Sequence, residues 1–262
     1  MQNTVQKVYW LTGASSGIGR ELALQLADQG HKVYISARSA ENLQELAHSS
    51  PEHLLPLPCD VSDAEQTAAL FKGMAHPPAW LDGIILCAGS CEYIDVDDFD
   101  VGSFHRVMAS NFYGVVHTCQ AALPLLRAGH ARNPAQRPEI IGICSMSCYV
   151  GFPRAEAYGS SKAAMSYFLE SLRCDVQREI AVTVVYPGFV ATPMTMANDF
   201  PMPFMVPASE AARLIIKSLG KGKRSMSFPW QLYVLLKLGA LLPWFWYGCV
   251  VTALSRQKRA RV

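Results

Sequence analysis

Short apolar runs alternate with helix-length stretches along most of this chain, and this alternation restricts its fold more than any other feature. Six runs rich in Val, Ile and Leu are expected as strands, at residues 8–11, 33–35, 54–59, 84–87, 140–144 and 182–186. They are apolar almost throughout rather than at every second position, which is typical of strands covered on both faces. The pattern predicts an α/β fold with a doubly wound parallel sheet, whose ligands bind at the carboxyl ends of the strands.

The stretches between these runs are expected as helices, at residues 18–29, 104–127 and 156–178. Residues 129–138 are polar and contain proline, and they are expected to form a surface loop. A length of 262 residues fits one α/β domain. We expect that domain over residues 1–227, followed by an apolar helical extension over residues 228–262.

Charge and cysteine content argue against several classes of function. The formal net charge is only +2, so the basic footprint of a nucleic-acid-binding protein is absent. The eight cysteines form no Cys-x-x-Cys pair and have no histidines at ligand spacing, so no metal is expected. Most of the cysteines are expected to be small buried apolar side chains. The amino terminus lacks an apolar signal-peptide stretch, which favours a cytoplasmic location.

A glycine-rich turn joins the first predicted strand to the first predicted helix. Its sequence is Thr12-Gly13-Ala14-Ser15-Ser16-Gly17-Ile18-Gly19. Glycines here permit a tight turn, let the backbone approach a pyrophosphate, and leave the helix N-terminus open to an anion. An ordinary βα turn is the alternative, but the position between strand and helix favours dinucleotide binding.

The end of the second predicted strand indicates which dinucleotide binds. An acidic residue there would hold the ribose hydroxyls of NAD, whereas an arginine suits a 2′-phosphate. The chain reads Ile35-Ser36-Ala37-Arg38, with no carboxylate. Arg38 as a solvated loop residue is the alternative, but a guanidinium pairs well with phosphate, so we expect NADP(H).

Tyr158 and Lys162 lie one helical turn apart, thirteen residues downstream of Ser145. That spacing places both side chains on one face of a helix. A free phenol titrates near pH 10, and a neighbouring ammonium lowers its pKa. Reaching neutrality takes roughly 3 pKa units, or about 4 kcal/mol. One lysine at a wet surface is not expected to suffice, whereas a partly dry site that also holds the cationic oxidised nicotinamide is. We therefore expect Tyr158 to transfer a proton, with Lys162 and the cofactor lowering its pKa.

In order and spacing, these motifs resemble those of the short-chain dehydrogenase/reductase family, over roughly residues 7–207. The glycine turn resembles the family's cofactor turn, and Asp60-Val61 resembles its adenine-binding pair. Ser145 with Tyr158-x-x-x-Lys162 matches its catalytic group. The segment 187–192 resembles the one that contacts the nicotinamide. The resemblance implies a Rossmann fold and an oxidoreductase.

The resemblance also implies roles for single residues. Tyr158 would exchange a proton with the substrate oxygen, Lys162 would bind the ribose, and Ser145 would polarise the carbonyl. Asn111 matches the family's structural and proton-relay asparagine and would position a water. The residues implied to contact the cofactor are Gly13, Ser15, Ser16, Gly17, Ile18, Gly19, Arg38, Asp60, Val61, Ala88, Gly89, Tyr158, Lys162, Pro187, Gly188, Val190 and Thr192.

The chain departs from the family after its fourth predicted strand. The family has Asn-Asn-Ala-Gly there, and this chain has Leu86-Cys87-Ala88-Gly89. The change removes amide hydrogen bonds that brace the central sheet. Ala88 and Gly89 still permit the backbone to approach the cofactor.

We expect NADPH-dependent reduction of a ketone or aldehyde. Two alternatives stay open: an NADP-linked alcohol dehydrogenase running in the oxidative direction, and a non-catalytic dinucleotide-binding redox sensor or scaffold. The resemblance further suggests a homodimer or homotetramer formed through the two long helices, 104–127 and 156–178.

A hydrophobic or lipid-like substrate is expected from a cluster of apolar side chains after the nicotinamide segment. This cluster is Met194, Met196, Phe200, Met202, Phe204 and Met205. Adaptable methionine-rich surfaces suit varied apolar partners. Four further side chains are expected to line the same cleft: Ser147, Tyr149, Phe152 and Phe189.

Residues 228–254 are almost wholly apolar, with Lys237 as their one charged residue and Pro243 as a break near the middle. A basic tail follows, with Arg256, Lys258, Arg259 and Arg261. Because Pro243 would kink a helix, two short helices in a membrane interface are expected, with the tail on anionic lipid. Packing in an oligomer or substrate pocket, and a true membrane span, are the alternatives.

Overall fold

The computed structural model describes residues 5–196, 198 and 200–252. Seven parallel strands form its central sheet, in the order β3-β2-β1-β4-β5-β6-β9. The strands are β1 (Val8–Thr12), β2 (Lys32–Ser36), β3 (Leu54–Pro56), β4 (Gly83–Leu86), β5 (Glu139–Ile143), β6 (Ala181–Pro187) and β9 (Ser225–Phe228). A separate two-stranded sheet pairs β7 (Val190–Ala191) with β8 (Val206–Pro207).

Helices cover both faces of the large sheet, which confirms the doubly wound fold. They are α1 (Gly17–Asp28), α2 (Ala40–His48), α3 (Ala64–Ala69), α4 (Val101–Met108), α5 (Gly114–Arg132), α6 (Glu156–Val176), α7 (Pro193–Met196), α8 (Ala208–Ile216), α9 (Trp230–Leu241) and α10 (Pro243–Phe245). Successive residues of β1 point to opposite layers. Trp10 packs in the layer of α5 and α6, whereas Tyr9 and Leu11 pack in the layer of α1 and α8.

The order of the strands creates a crevice at the middle of the sheet. β1 pairs with β2 on one side and with β4 on the other. The chain therefore adds strands in one direction up to β3 and in the opposite direction from β4 onward. The loops after β1 and β4 diverge at this switch point, where ligands of open α/β sheets bind.

Two predictions about the helices are wrong in detail. The helix predicted at 104–127 begins at Val101 and is interrupted by a π-helical turn at Ala109–Tyr113. The loop predicted at 129–138 begins later, since α5 continues to Arg132. Gly129 is buried there, where an added Cβ would lie within 2.5 Å of the Leu81 carbonyl oxygen. This close backbone packing favours helix over loop.

The seventh strand, β9, was not predicted. It pairs with β6, and its last residue, Phe228, lies beside Pro187. A boundary between residues 227 and 228 would therefore cut β9 before its end. The extension that follows packs on the sheet through Leu232, Leu236 and Trp246, all buried in the main core.

The C-terminal extension forms two short helical segments, as predicted. α9 is followed by α10 and a π-helical turn at Trp246–Val251, and the two segments meet at 104°. Within residues 5–252 no single helix is long and apolar enough to cross a membrane, although this bent pair passes by length and composition together. The basic tail lies outside the described residues.

The cysteines follow their prediction only in part. Cys59, Cys119 and Cys144 are buried, but Cys174 and Cys249 are exposed. Both exposed residues lie on helical segments at the surface. Over the described part of the chain, no three His, Cys, Asp or Glu side chains come together as metal ligands.

Candidate active site

A cleft of about 830 Å³ lies at the carboxyl ends of the central strands. Its volume falls in the range of small-molecule and cofactor sites. All the residues proposed for the site line it except two, Gly19 and Asn111. Those lining residues are Gly13, Ser15, Ser16, Gly17, Ile18, Arg38, Asp60, Val61, Ala88, Gly89, Ser145, Tyr158, Lys162, Pro187, Gly188, Val190 and Thr192.

The glycine turn brings two stretches of backbone into direct contact. Gly13 has φ of +71°, in the left-handed region, and a Cβ there would lie 2.6 Å from the Ala88 nitrogen. Gly19 is buried inside the turn, where a Cβ would overlap the carbonyl oxygen of Gly13. These glycines therefore let the loops after β1 and β4 close on each other.

The N-terminus of α1 is open to an anion. Its N-cap residue, Ser16, makes no side-chain capping hydrogen bond, and the first turn contains no acidic residue. The first backbone N–H groups of a helix have no partner within the helix, and the helix dipole favours negative charge beside them. This end of α1 suits the pyrophosphate of a dinucleotide.

Thr12 braces the central sheet where the family's asparagines are missing. Its hydroxyl accepts hydrogen bonds from the backbone nitrogens of Cys87 and Ala88, at 3.2 and 3.3 Å. It also donates to the carbonyl oxygen of Ile85. Thr12 thereby holds the end of β1 against the loop after β4, a role that sequence reasoning missed.

Asn111 lies behind the cleft rather than in its wall, on the π-helical turn between α4 and α5. It is fully buried, and its amide oxygen accepts from the Ser90 nitrogen at 2.7 Å. Its amide nitrogen donates to the Ser90 carbonyl and to the Ser161 hydroxyl, both at 2.9 Å. Asn111 therefore fixes the loop after Gly89 to α6, the helix that carries Tyr158 and Lys162.

Lys162 is buried, at 4% exposure, and its ammonium is held by the sheet. The Nζ atom donates to the carbonyl oxygen of Ile143, the last residue of β5, at 3.0 Å. It stands 6.0 Å from the ring centroid of Tyr158. A lysine has three N–H donors, so the ammonium retains hydrogen-bonding capacity toward the cleft.

Tyr158 and Ser145 form the polar pair expected for proton transfer. Burial raises the pKa of Tyr158 above its ordinary value, and the hydrogen bond from Ser145 only partly offsets this effect. The protein's own groups thus shift the Tyr158 pKa opposite to the direction predicted from Lys162. The physical reason is desolvation of a phenol on the cleft wall, where no charge contact with the ammonium outweighs it.

Where the cleft reaches the end of β2, its wall contains the guanidinium of Arg38, and β2 contributes no carboxylate there. Ser36 is buried and bonded to Trp10 and to the Leu57 carbonyl, so it faces the core. Arg38 lies exposed at the cleft wall. Asp60 accepts hydrogen bonds from the backbone and hydroxyl of Ser62, at 3.0 and 2.7 Å, which orients the loop after β3.

These features together fit a dinucleotide cofactor of the NAD(P) type. The glycine turn leaves room for a pyrophosphate, the α1 N-terminus offers unpaired N–H donors, and Arg38 offers a phosphate-binding guanidinium. Cleft-lining residues that the sequence did not single out for this site include Ser39, Asn42, Ser90 and Thr195. Ser90 lies on the loop after β4, Ser39 and Asn42 lie at the start of α2, and Thr195 lies on the short helix α7, so none of them is part of a sequence motif.

The apolar cluster after β7 lies at the mouth of the cleft. Met194 lines the cleft, and Phe200 packs edge-on against Tyr93 and Phe189, with centroids 5.9 and 6.1 Å apart. Met196 and Phe204 remain exposed, at 72% and 50%.

The prediction that Ser147, Tyr149, Phe152 and Phe189 line this cleft is wrong, because none of them lies in its wall. Tyr149 and Phe152 pack instead against aromatic rings of the C-terminal extension. Tyr149 meets the Tyr233 ring at 5.8 Å between centroids, and Phe152 meets the Trp246 ring at 5.7 Å.

Comparisons with known proteins agree with this geometry. A family model described as short chain dehydrogenase matches residues 7–200. An uncharacterized oxidoreductase of Myxococcus xanthus is 33% identical over 237 residues, which cover 89% of this chain and 91% of the relative. The 11-beta-hydroxysteroid dehydrogenase-like 2 protein of Arabidopsis thaliana is 29% identical over 248 residues, covering 90% of this chain and 78% of the relative.

Solved structures are similar over nearly the whole fold. A short-chain dehydrogenase from Streptomyces avermitilis aligns with a TM-score of 0.79 at 21% identity, covering 98% of this chain and 100% of that one. The Pseudomonas aeruginosa RhlG/NADP active-site complex aligns with a TM-score of 0.77 at 27% identity, covering 86% and 95%. These matches agree with the motifs that line the cleft. This chain belongs to the short-chain dehydrogenase family and is an oxidoreductase that acts on CH–OH or carbonyl groups.

Proposed function

We propose that this protein reduces a hydrophobic ketone or aldehyde with NADPH, and that Tyr158 is the proton donor. The observation that carries the proposal is the environment of the Tyr158 phenol. It lies in the wall of the cleft with Ser145, and burial raises its pKa, an effect that Ser145 only partly offsets. A phenol in that state is protonated at neutral pH, as a general acid must be before it acts.

The chain's own residues divide the remaining tasks. NADPH, when bound, supplies the hydride that the carbonyl carbon receives. Ser145 orients the carbonyl oxygen by hydrogen bonding, and Tyr158 gives that oxygen its proton. Lys162 is anchored to the Ile143 carbonyl. Its other N–H groups would hold the ribose hydroxyls of the bound cofactor. Its positive charge also stabilises the phenolate that forms as the proton leaves.

The preference for NADPH rests on the end of β2. The cleft there presents Arg38 and Ser39 and no acidic side chain from that strand. A 2′-phosphate gains charge-assisted hydrogen bonds from a guanidinium, whereas the NAD ribose gains most from a carboxylate. The similarity to the RhlG/NADP complex, at 27% identity, supports the same choice.

The proposed reductive direction is supported by the raised pKa of Tyr158. An alcohol dehydrogenase needs a base that accepts the hydroxyl proton, and a raised phenol pKa disfavours the phenolate form at neutral pH. The oxidative alternative therefore requires a larger pKa change on cofactor binding than reduction does.

A hydrophobic substrate is supported by the mouth of the cleft. Met194 lines the cleft with an adaptable apolar side chain, and the nearby segment carries Phe200, which packs edge-on against Tyr93. Several relatives carry the name 11-beta-hydroxysteroid dehydrogenase, which denotes action on a large fused-ring substrate. We extend that class, bulky apolar alcohols and ketones, to this chain.

Replacing Arg38 by alanine should raise the Kd for NADPH by about 10- to 100-fold and leave the Kd for NADH nearly unchanged, because a charge-assisted phosphate contact contributes about 1.5–3 kcal/mol. Fluorescence titration with both nucleotides measures this. Arg178→Ala is the matched control, since Arg178 is exposed at the opposite ends of the strands. Equal losses for both nucleotides would contradict a role in phosphate recognition.

The proposed substrate class is tested by NADPH consumption with a panel of ketones and aldehydes. We expect kcat/KM to rise with apolar surface, by about tenfold for every two added methylenes, since each buried CH2 contributes about 0.8 kcal/mol. Small polar sugars serve as the comparison. A clear preference for them over cyclic or long-chain ketones would overturn the hydrophobic assignment, though not the use of NADPH.

A further inference from the structure

The helix α9 is apolar on both of its faces. Its inner face, through Leu232, Leu236 and Gly239, is buried against the domain. Its outer face bears large apolar side chains that are about half or more exposed: Trp230 69%, Val234 44%, Leu235 47%, Leu238 52% and Leu241 75%. A surface helix of a water-exposed domain is polar on its outer side, so this face is suited to a non-aqueous partner.

The apolar surface continues beyond α9 into the second helical segment. Leu242, Trp244, Phe245 and Tyr247 are exposed there at 47%, 72%, 46% and 50%. We call these four residues and the five on α9 the C-terminal apolar face. Tryptophan and tyrosine side chains favour the boundary between lipid headgroups and hydrocarbon.

The charge of the chain is strongly divided along its length. Residues 211–262 contain ten Lys and Arg and no Asp or Glu. Because the whole chain carries +2, residues 1–210 carry −8. Arg213 and Arg224 form ion pairs with Glu210 and Glu170, whereas Lys237 lies within the apolar segment and four more basic residues follow it at positions 256–261. An apolar face with basic residues next to it in the sequence is typical of proteins that bind anionic membrane surfaces.

The shape of the extension suits the surface of a bilayer better than a passage through it. α9 and the segment Pro243–Val251 meet at 104°, and neither is long enough alone to span. A bent pair of short helices places an apolar face in the interface plane while the basic residues contact headgroups. Only the outer side of the extension is available to a bilayer, since its inner side packs in the hydrophobic core.

The C-terminal extension also contacts the loop between Ser145 and α6, which contains Gly151. The Trp246 indole donates to the Gly151 carbonyl at 3.2 Å, and the Gly151 nitrogen donates to the Tyr247 hydroxyl at 3.1 Å. On the other side, a Cβ at Gly188 would touch the Leu232 side chain. The C-terminal apolar face is thus rigidly placed next to the cleft that holds Ser145 and Tyr158.

We propose that the C-terminal apolar face docks the protein on the surface of an anionic lipid bilayer, without crossing it. A second copy of this chain is the competing occupant. A two-fold interface would bring two identical cationic segments together, whereas an anionic bilayer neutralises them. The inference stands apart from the reaction, since it uses no catalytic residue.

Vesicle flotation with the full-length protein tests this proposal. We expect the protein to float with vesicles of phosphatidylcholine containing about 30% phosphatidylglycerol, and at least about fivefold less with pure phosphatidylcholine. The double variant Leu235→Glu/Leu238→Glu should stay in the bottom fraction. The matched control Val96→Glu/Val101→Glu alters two exposed aliphatic residues outside the face, at 68% and 56%, and should float as the unaltered protein does.

Two further measurements determine whether the double variant is folded and whether its oligomeric state has changed. NADPH titration shows that the double variant is folded, since the face contains no cleft-lining residue. Light scattering without lipid reports its mass. The proposal is overturned if the unaltered protein does not float with either vesicle, if the folded double variant floats unchanged, or if the variant loses half its mass because the face joins two copies.

Discussion

Replacing Tyr158 by phenylalanine should lower NADPH-dependent turnover by at least about 10³-fold and change the Kd for NADPH by less than about twofold. The substitution removes one hydroxyl and keeps the ring that forms the cleft wall. Ser145 and Lys162 stay in place, because Lys162 is anchored to the Ile143 carbonyl and not to the phenol. Turnover would therefore fall because proton donation is lost and not because the shape of the site changes.

Tyr167→Phe is the matched control for this experiment. Tyr167 lies on the same helix, α6, but is 78% exposed and does not line the cleft. The control should keep full turnover. Single-turnover measurements at saturating NADPH separate chemistry from binding. If Tyr158→Phe kept turnover within about tenfold, another group would be the proton donor and the proposed mechanism would fall.

Replacing Gly19 by alanine should weaken NADPH binding by at least about 100-fold, equivalent to about 2.7 kcal/mol. The added Cβ would overlap the Gly13 carbonyl oxygen, which is backbone and has no rotamer to move away. The turn between β1 and α1 would have to open. Opening it separates Gly13 from Ala88 and shifts the N–H groups at the start of α1 that suit a pyrophosphate.

Gly73→Ala is the control, because a Cβ at Gly73 has no atom within 4 Å. Both variants are compared by fluorescence titration with NADPH, and their far-ultraviolet circular dichroism and thermal transitions show whether the fold is kept. A variant Gly19→Ala that is folded and binds NADPH with unchanged affinity would show that the turn does not form the pyrophosphate site.

The central strands could be predicted because their signal is local. β1, β4, β5 and β6 are short continuous runs of apolar residues, and the structure places each within two residues of its prediction. β9 carries no such signal, since Ser225–Phe228 is half polar. It is a strand because its backbone pairs with β6, a contact that depends on the fold and not on its own composition.

The position of the site was also predictable, since the motifs follow strands whose carboxyl ends meet at one edge. The direction in which the site shifts the pKa of Tyr158 could not be predicted. The direction of the Tyr158 pKa depends on how far the assembled cleft desolvates the phenol, and on the Lys162 ammonium contacting Ile143. Thr12 gave no signal as a brace, because its partners at Cys87 and Ala88 are far away in the chain.

The two hydrogen bonds between Gly151 and the rings of Trp246 and Tyr247 bear on how the protein is handled in the laboratory. They join positions nearly a hundred residues apart, so the final helical turn serves as a strut for the loop behind Ser145. A shortened version ending ahead of Trp246, or a purification tag substituted for that stretch, would strip the loop of both contacts. An affinity handle belongs at the opposite terminus.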